Sequence, residues 1–159
     1  MSNRWVVVDG YSVIHAWPKL RKLAGRSLEQ RRDALVHVLH QYADQTAQKV
    51  TVVFDGYAAK HKPEAAAPTH GVEVLFSEKG KTADDTIERL VGQAEHLERI
   101  LVVTSDNVER QTVESLGAHS VSATGFEVEV ESALQELART VRQHGRRRQI
   151  GRLGERFEG

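Results

Sequence analysis

Five short apolar runs punctuate the chain: residues 4–8 (RWVVV), 50–54 (VTVVF), 72–76 (VEVLF), 100–104 (ILVVT) and 119–122 (HSVS). Most are separated by stretches in which apolar residues recur at helical spacing. This alternation restricts the fold more than any other feature, because parallel strands need long crossovers and helices supply them. Val6, Val7 and Val8 in the first run are β-branched and uninterrupted, as in a parallel strand covered on both faces. The expected architecture is α/β: a three-layer α/β/α sandwich around a mainly parallel five-stranded sheet with right-handed crossovers.

The helical stretches carry their own start and stop signals. Ser27 with Gln30 three residues later is a capping-box signature, and Leu28, Leu35, Val38, Leu39 and Tyr42 then repeat to about Gln48. A second helix opens at Thr82, with Ala83, Ile87, Leu90, Ala94 and Leu97 as its apolar stripe. A third runs from Asn107 to Leu116 and stops at Gly117; a fourth is expected from Gly125 to His144, ending before Gly145. Two segments lie outside the pattern. Tyr57 to Gly71 joins two strands without a helical signature, and loops of that length are usually functional or mobile. The end of the chain, GRRRQIGRLGERFEG, is glycine-interrupted and basic, so the expected organisation is one domain over residues 1–145 and a flexible basic tail over 146–159.

The 159 residues suffice for one domain with a real core. Lys and Arg number 22 against 22 Asp and Glu, so total charge decides nothing about a polyanionic partner, but its distribution does. From Arg139 onward seven arginines face two acids, Glu155 and Glu158. Arg139, Arg142, Arg146, Arg147 and Arg148 are therefore candidates for sequence-independent contact with the phosphates of a polyanionic partner. With no cysteine there is neither a disulfide framework nor a thiolate metal site. No apolar run approaches the ~20 residues of a membrane helix, and the opening Met1-Ser2-Asn3-Arg4 leads straight into the first strand, so a cytoplasmic protein without membrane contact is expected.

Three runs end in aspartate: VVVDG at Asp9, VVFDG at Asp55 and VVTSD at Asp106. A fourth acidic group, TADDTIE, opens the second helix with Asp84, Asp85 and Glu88. One aspartate after a strand is an ordinary turn or cap residue. In a doubly wound sheet, however, strand carboxyl ends and the amino ends of the following helices share an edge, so these acids converge. Carboxylates within about 4–6 Å raise one another's pKa unless a cation or shared proton relieves them. With hard oxygen donors and no thiolate, Mg²⁺ or Mn²⁺ suits the site, and such an ion favours phosphodiester chemistry by activating water and neutralising charge on the phosphate.

Helical phase separates the neighbours Asp84 and Asp85. At roughly 100° per residue, Asp84 and Glu88 fall on one flank of the apolar stripe while Asp85 points almost directly away. Asp85, three residues after Thr82, is placed to close a capping box.

Taken together, VVDGYSVIHAW, VTVVFDGY, FSEKGKTADDTIE, VVTSDNVERQ and GAHSVSATGFEVEVE resemble the YacP-like branch of the NYN domains, which are related to the PIN fold. The resemblance implies a PIN-like sheet of strand order 3-2-1-4-5 and a metal-dependent endoribonuclease, with messenger RNA on the ribosome as a substrate of relatives. Carried over by position, it implies Asp9, Asp84 and Asp106 as the acidic metal site, with Asp55 and Glu88 nearby. The family's first motif usually reads Asp-Gly-Tyr-Asn, and here Ser12 takes the place of the Asn. Ser12 and Asn107 are accordingly accessory candidates.

Rival readings fail at specific positions. A haloacid-dehalogenase-type site needs a second Asp where Tyr11 stands, an integrin-like metal site needs a different serine spacing after Asp9, and a receiver domain needs a lysine that is absent near residue 122. The surviving alternative is a noncatalytic RNA- or ribosome-binding module on a nuclease fold. His37 and His40 stand at helical spacing but lack a third partner for zinc. Trp5 and Trp17 are expected to pack, whereas Tyr11 and Tyr57, close behind two strand tips, are placed to stack on a nucleotide.

Overall fold

The computed structural model describes residues 4–23, 25–56 and 71–157, with side chains described as far as Arg146. Five strands, β1 (Trp5–Asp9), β2 (Lys49–Phe54), β3 (Val72–Phe76), β4 (Ile100–Val103) and β5 (His119–Val121), form one sheet in the order β3-β2-β1-β4-β5. Every pairing is parallel. The register sets Asp9 beside Val53, Phe54 beside Phe76 and Val103 beside Val121, so the carboxyl ends of all five strands lie along one edge. This is the sheet that the alternating runs lead one to expect.

Helices cover both faces: α1 (Gly10–Ala16), α2 (Pro18–Arg21), α3 (Leu28–Thr46), α4 (Ala83–Gln93), α5 (Asn107–Leu116) and α6 (Ala123–Phe157), with a 3₁₀ turn at Leu97–Arg99. Alternation along the strands divides the core. Val6, Val8, Val52 and Phe54 meet Leu35, Leu39, Tyr42 and Phe126 from α3 and α6, while Val7, Val53 and Val102 meet Ile87, Val91 and Val113 from α4 and α5. Leu35 and Leu39 are fully buried, and truncating either to alanine costs about 2–5 kcal/mol. Trp17 is buried in the first of these layers and donates its indole N–H to the Ala123 carbonyl at 2.8 Å.

Several boundaries differ from expectation for identifiable reasons. Helices α1 and α2 follow β1 directly, although their segments are too short for an apolar repeat. Asp9 caps α1, Pro18 opens α2, and burial of Val13, Ile14 and Leu20 holds both in place. The stripe expected to run on to Leu97 ends earlier: α4 stops at Gln93, and Leu97 enters the 3₁₀ turn. The long helix begins at Ala123 rather than Gly125 and does not end before Gly145. It continues to Phe157, and the boundary drawn at residue 145 falls inside it. A glycine inside a helix costs only about 1 kcal/mol and does not stop one by itself. The segment from Tyr57 to residue 70 lies outside the described residues.

At the amino edge of the sheet a polar network ties β1, α3 and α6 together. Arg4 donates to Gln48 Oε1 at 2.7 Å, to Tyr42 Oη at 3.1 Å and to Glu129 Oε2 at 2.8 Å, and the Tyr42 hydroxyl also donates to Glu129. Burial and the Glu129 carboxylate push the Tyr42 phenol up to about 12. By Glu129, therefore, α6 has already crossed the sheet from its carboxyl to its amino edge. From Ala138 to Arg146 every side chain is exposed, so this part of the helix stands clear of the domain.

Candidate active site

Asp9 ends β1 as a buried carboxylate and caps α1. Its Oδ1 accepts from the Ser12 N–H at 3.5 Å, and its Oδ2 accepts from the Ser12 hydroxyl at 2.8 Å and the Thr104 hydroxyl at 3.3 Å. Gly10 follows because nothing larger fits: a Cβ there would stand 2.2 Å from Cε1 of Phe54 on the neighbouring strand. The Asp-Gly pair at this tip thus combines a candidate site carboxylate with a close approach of backbone to ring. Ser12 belongs to the site through its bond to Asp9.

Thr104, just past β4 and fully buried, links the next carboxylate to the first. The Asp106 N–H donates to Thr104 Oγ1 at 3.2 Å, while Asp106 Oδ1 accepts from the Val108 and Glu109 N–H groups at 2.9 and 3.3 Å. Asp106, not Asn107, is the cap of α5. Asn107 is exposed at the first helical position.

Asp84 and Glu88 are half-buried on one flank of α4, and Asp85 is exposed on the other side. Asp85 closes a capping box, accepting from the Thr82 N–H at 2.9 Å and donating its own N–H to Thr82 Oγ1 at 3.1 Å. Those bonds hold its carboxyl below the usual range. Asp84 goes the other way: burial first, then the charges of Asp9, Asp106, Glu88 and Asp85, push it up to about 6. Acids from β1, from the loop after β4 and from the first turn of α4 therefore act on one another, as the shared edge requires.

Glu109, which the sequence reading did not single out, joins them. It is 3% exposed, and its Oε1 is buried without a hydrogen-bond partner. Burial, then a hydrogen bond with Glu88 and the charges of Asp84, Glu88 and Asp106, push its carboxyl up to about 9. Two carboxyl groups can share a hydrogen bond only when one of them carries a proton. One carboxyl of the Glu88–Glu109 pair would then carry the proton, and burial favours the neutral form at Glu109. A signal for it existed. Glu109 stands four residues before Val113 and so shares the inward face of α5, but a glutamate three residues after a cap normally reads as half of a capping box. Here Thr104 already takes the Asp106 N–H, and Glu109 turns inward instead.

Among the described residues no three Asp, Glu or His side chains, His37 and His40 included, stand close enough together to enclose an ion as they are. The donor set nevertheless fits a hard divalent cation: it is all oxygen, crowded with negative charge, and includes an unpartnered buried oxygen.

Asp55, at the tip of β2, accepts from Ser77 Oγ at 3.5 Å, and the Gly56 N–H donates to the same hydroxyl at 2.9 Å. Tyr11 is half-buried with its ring 5.5 Å from that of Phe54, and its hydroxyl accepts from Arg32 Nη1 at 3.3 Å. Tyr57 lies outside the described residues, as do the side chains of Arg147 and Arg148. Arg139, Arg142 and Arg146 are exposed on the projecting part of α6. At 1.5 Å rise per residue, Arg146 stands about 35 Å along the helix from Ala123, far from the acidic edge.

A family model described as YacP-like NYN domain matches residues 6–157. The chain is 35% identical over 149 residues to "Uncharacterized protein YacP" of Bacillus subtilis (strain 168), covering 93% of this chain and 87% of that protein. A crystal structure of Rae1 (YacP) from Bacillus subtilis matches with a TM-score of 0.79 at 34% identity, over 96% of this chain and 88% of that one. A structure of a single-residue variant of the same protein matches with a TM-score of 0.75 at 35% identity, over 88% of this chain and 82% of that one.

Proposed function

The chain belongs to the YacP-like NYN domain family, within the PIN-like ribonuclease superfamily, and on that premise we propose that it is a divalent-metal-dependent endoribonuclease. The observation that carries this reading is the convergence of Asp9, Asp84 and Asp106 on one sheet edge, where the charges of Asp9 and Asp106 act on the Asp84 carboxyl. A Mg²⁺ or Mn²⁺ ion bound there supplies a Lewis acid that lowers the pKa of water and offsets charge on a phosphodiester. Asp9, Asp84 and Asp106 are the residues that would hold it, with Glu88 and Glu109 beside them. Ser12 and Thr104 fix the Asp9 carboxylate by donating to Oδ2. Asp55 and Asn107 are accessory polar groups at the same edge.

The substrate in this reading is RNA, with messenger RNA on the ribosome as the proposed target and the cytoplasm as the place of action. Among the described residues no helix is long and apolar enough to cross a membrane. The exposed arginines of α6 stand too far from the acidic edge to grip the scissile phosphate, so their place is in docking to a large RNA surface.

Cleavage of a structured RNA and of ribosome-bound messenger RNA, with Mn²⁺ and after chelation, tests the proposal. Asp9→Asn and Asp106→Asn should each abolish cleavage and leave the protein folded, or even stabilised by the loss of a like-charge repulsion. Activity that survives chelation in both variants would remove the metal-site assignment. RNA or ribosome binding without cleavage by the unmodified protein would favour the noncatalytic module.

A further inference from the structure

The chain that returns to β2 runs antiparallel to the strands, so the first turns of α3 reach the carboxyl edge of the sheet, where the acidic site lies. There Arg32 is half-buried, with its Cζ 5.5 Å from the centre of the Phe76 ring and 6.0 Å from that of Phe54. Its Nη1 donates to Tyr11 Oη at 3.3 Å. The Phe54 ring is the same one that crowds Gly10, the residue after Asp9. One aromatic ring therefore separates the arginine from the catalytic strand tip, and Tyr11 bridges the two.

This guanidinium is unusually uncommitted. Among the described residues it makes one hydrogen bond and has no carboxylate within 4.0 Å, although Asp33 follows it on the helix and Asp55 follows Phe54 on the strand. Four of its five N–H donors remain available. Helix stability does not call for it either, since positive charge near a helix amino end gains nothing from the dipole. Stacking on aromatic rings fixes the plane of the fork without consuming its edge, and a fixed, partly desolvated fork matches two phosphate oxygens.

Resting on the ribonuclease reading above, we propose that Arg32, braced by Phe54, Phe76 and Tyr11, binds a phosphate of the RNA strand adjacent to the scissile one. The acidic site lies on the α4–α5 side of the edge and Arg32 on the α3 side. A strand laid across the edge at β1 and β2 meets both. Arg32 is thus a substrate-binding residue that sets the path of the strand, where the acidic cluster alone would repel it.

The test uses the full chain carrying Asp9→Asn, so that RNA is bound and not cut, and a labelled single strand of about a dozen uridines titrated over a range of salt. Arg32→Gln should weaken binding about tenfold and flatten the slope of log affinity against log salt by about 0.7, with an unchanged melting temperature. Arg32→Lys should keep the slope and lose severalfold in affinity, because the charge stays and the fork goes. With Asp9 restored, Arg32→Gln should raise KM more than it lowers kcat. Unchanged affinity and slope in a folded Arg32→Gln protein would reduce Arg32 to a packing residue and leave the ribonuclease reading intact. If Arg32→Gln melts early, Arg32→Lys decides, and an affinity equal to that of the parent overturns the proposal. Loss of binding in the Arg32 variants of a protein that never cleaves RNA would sustain the phosphate site and overturn catalysis. A parent protein that neither binds nor cleaves RNA would overturn both.

Discussion

The Thr104 hydroxyl stands 3.3 Å from Asp9 Oδ2, joining the tips of β1 and β4. Thr104 Oγ1 in turn accepts from the Asp106 N–H at 3.2 Å, so one buried side chain aligns two of the carboxylates. Thr104→Val keeps the shape and removes both bonds. It should cost about 1–3 kcal/mol of stability, because a half-buried N–H loses its acceptor. Displacing the carboxylates should lower cleavage by about tenfold to a hundredfold. Urea denaturation and single-turnover cleavage measure the two effects, and unaltered cleavage would mean that Thr104 does not align the site.

Adjacent positions on α4 should behave differently. Asp84→Asn should eliminate cleavage and weaken Mn²⁺ binding, because that carboxyl faces Asp9, Asp106 and Glu88. Asp85→Asn should leave both intact and lower the melting temperature slightly through a weaker cap. Calorimetric Mn²⁺ titration beside thermal melting separates them, and equal catalytic loss at both positions would contradict the capping geometry.

The acidic cluster should leave a signature in the pH dependence of stability. In the folded chain Glu109 is pushed up to about 9 from an ordinary 4.5, and Asp84 to about 6 from 3.8. Between those limits the folded state holds protons that the unfolded chain has released, so without divalent ions stability falls as pH rises, first through the Asp84 range and then toward that of Glu109. Glu109→Gln should match the parent protein at roughly pH 4, exceed it in stability at roughly pH 8, and gain less from added Mg²⁺. Parallel pH profiles for the two proteins in chelator would show that Glu109 titrates normally.

The end of α6 should matter for large partners and not for small ones. Replacing Arg146, Arg147 and Arg148 with glutamine should weaken binding to ribosomal or long RNA and flatten the salt slope by up to about 2. Cleavage of a short oligonucleotide should be unchanged, given the separation between Arg146 and the acidic edge. Filter binding over a salt series and oligonucleotide cleavage give the comparison. An unchanged slope would return these arginines to a solvated helix end.

Much of this was local and therefore legible in the residues. Uninterrupted valines at 6–8, 52–53 and 102–103 need cover on both faces, which in a chain with intervening helical periods means a parallel sheet. Caps are local too. Ser27 with Gln30 and Thr82 with Asp85 close capping boxes in the structure, because both partners lie within one turn. The strand-tip aspartates follow from the same logic, since parallel connection puts every carboxyl end on one edge.

What tertiary structure decided depends on who meets whom across the sheet. Helix α1 is too short to announce itself and exists because Val13 and Ile14 are buried. Glu109 reads as a capping glutamate until Thr104, five residues away and buried at the end of β4, takes the bond it would have made. Arg32 looks like one more surface cation until Phe54 and Phe76, from two neighbouring strands, become its platform. Hydrophobic periodicity and capping act within a turn or two of the chain, so the amino-acid sequence determined the sheet, its edge and the acids on it. Partners brought together over 20 or more residues are chosen by packing, so the setting of Arg32 against Tyr11, Phe54 and Phe76 was decided only in the folded molecule.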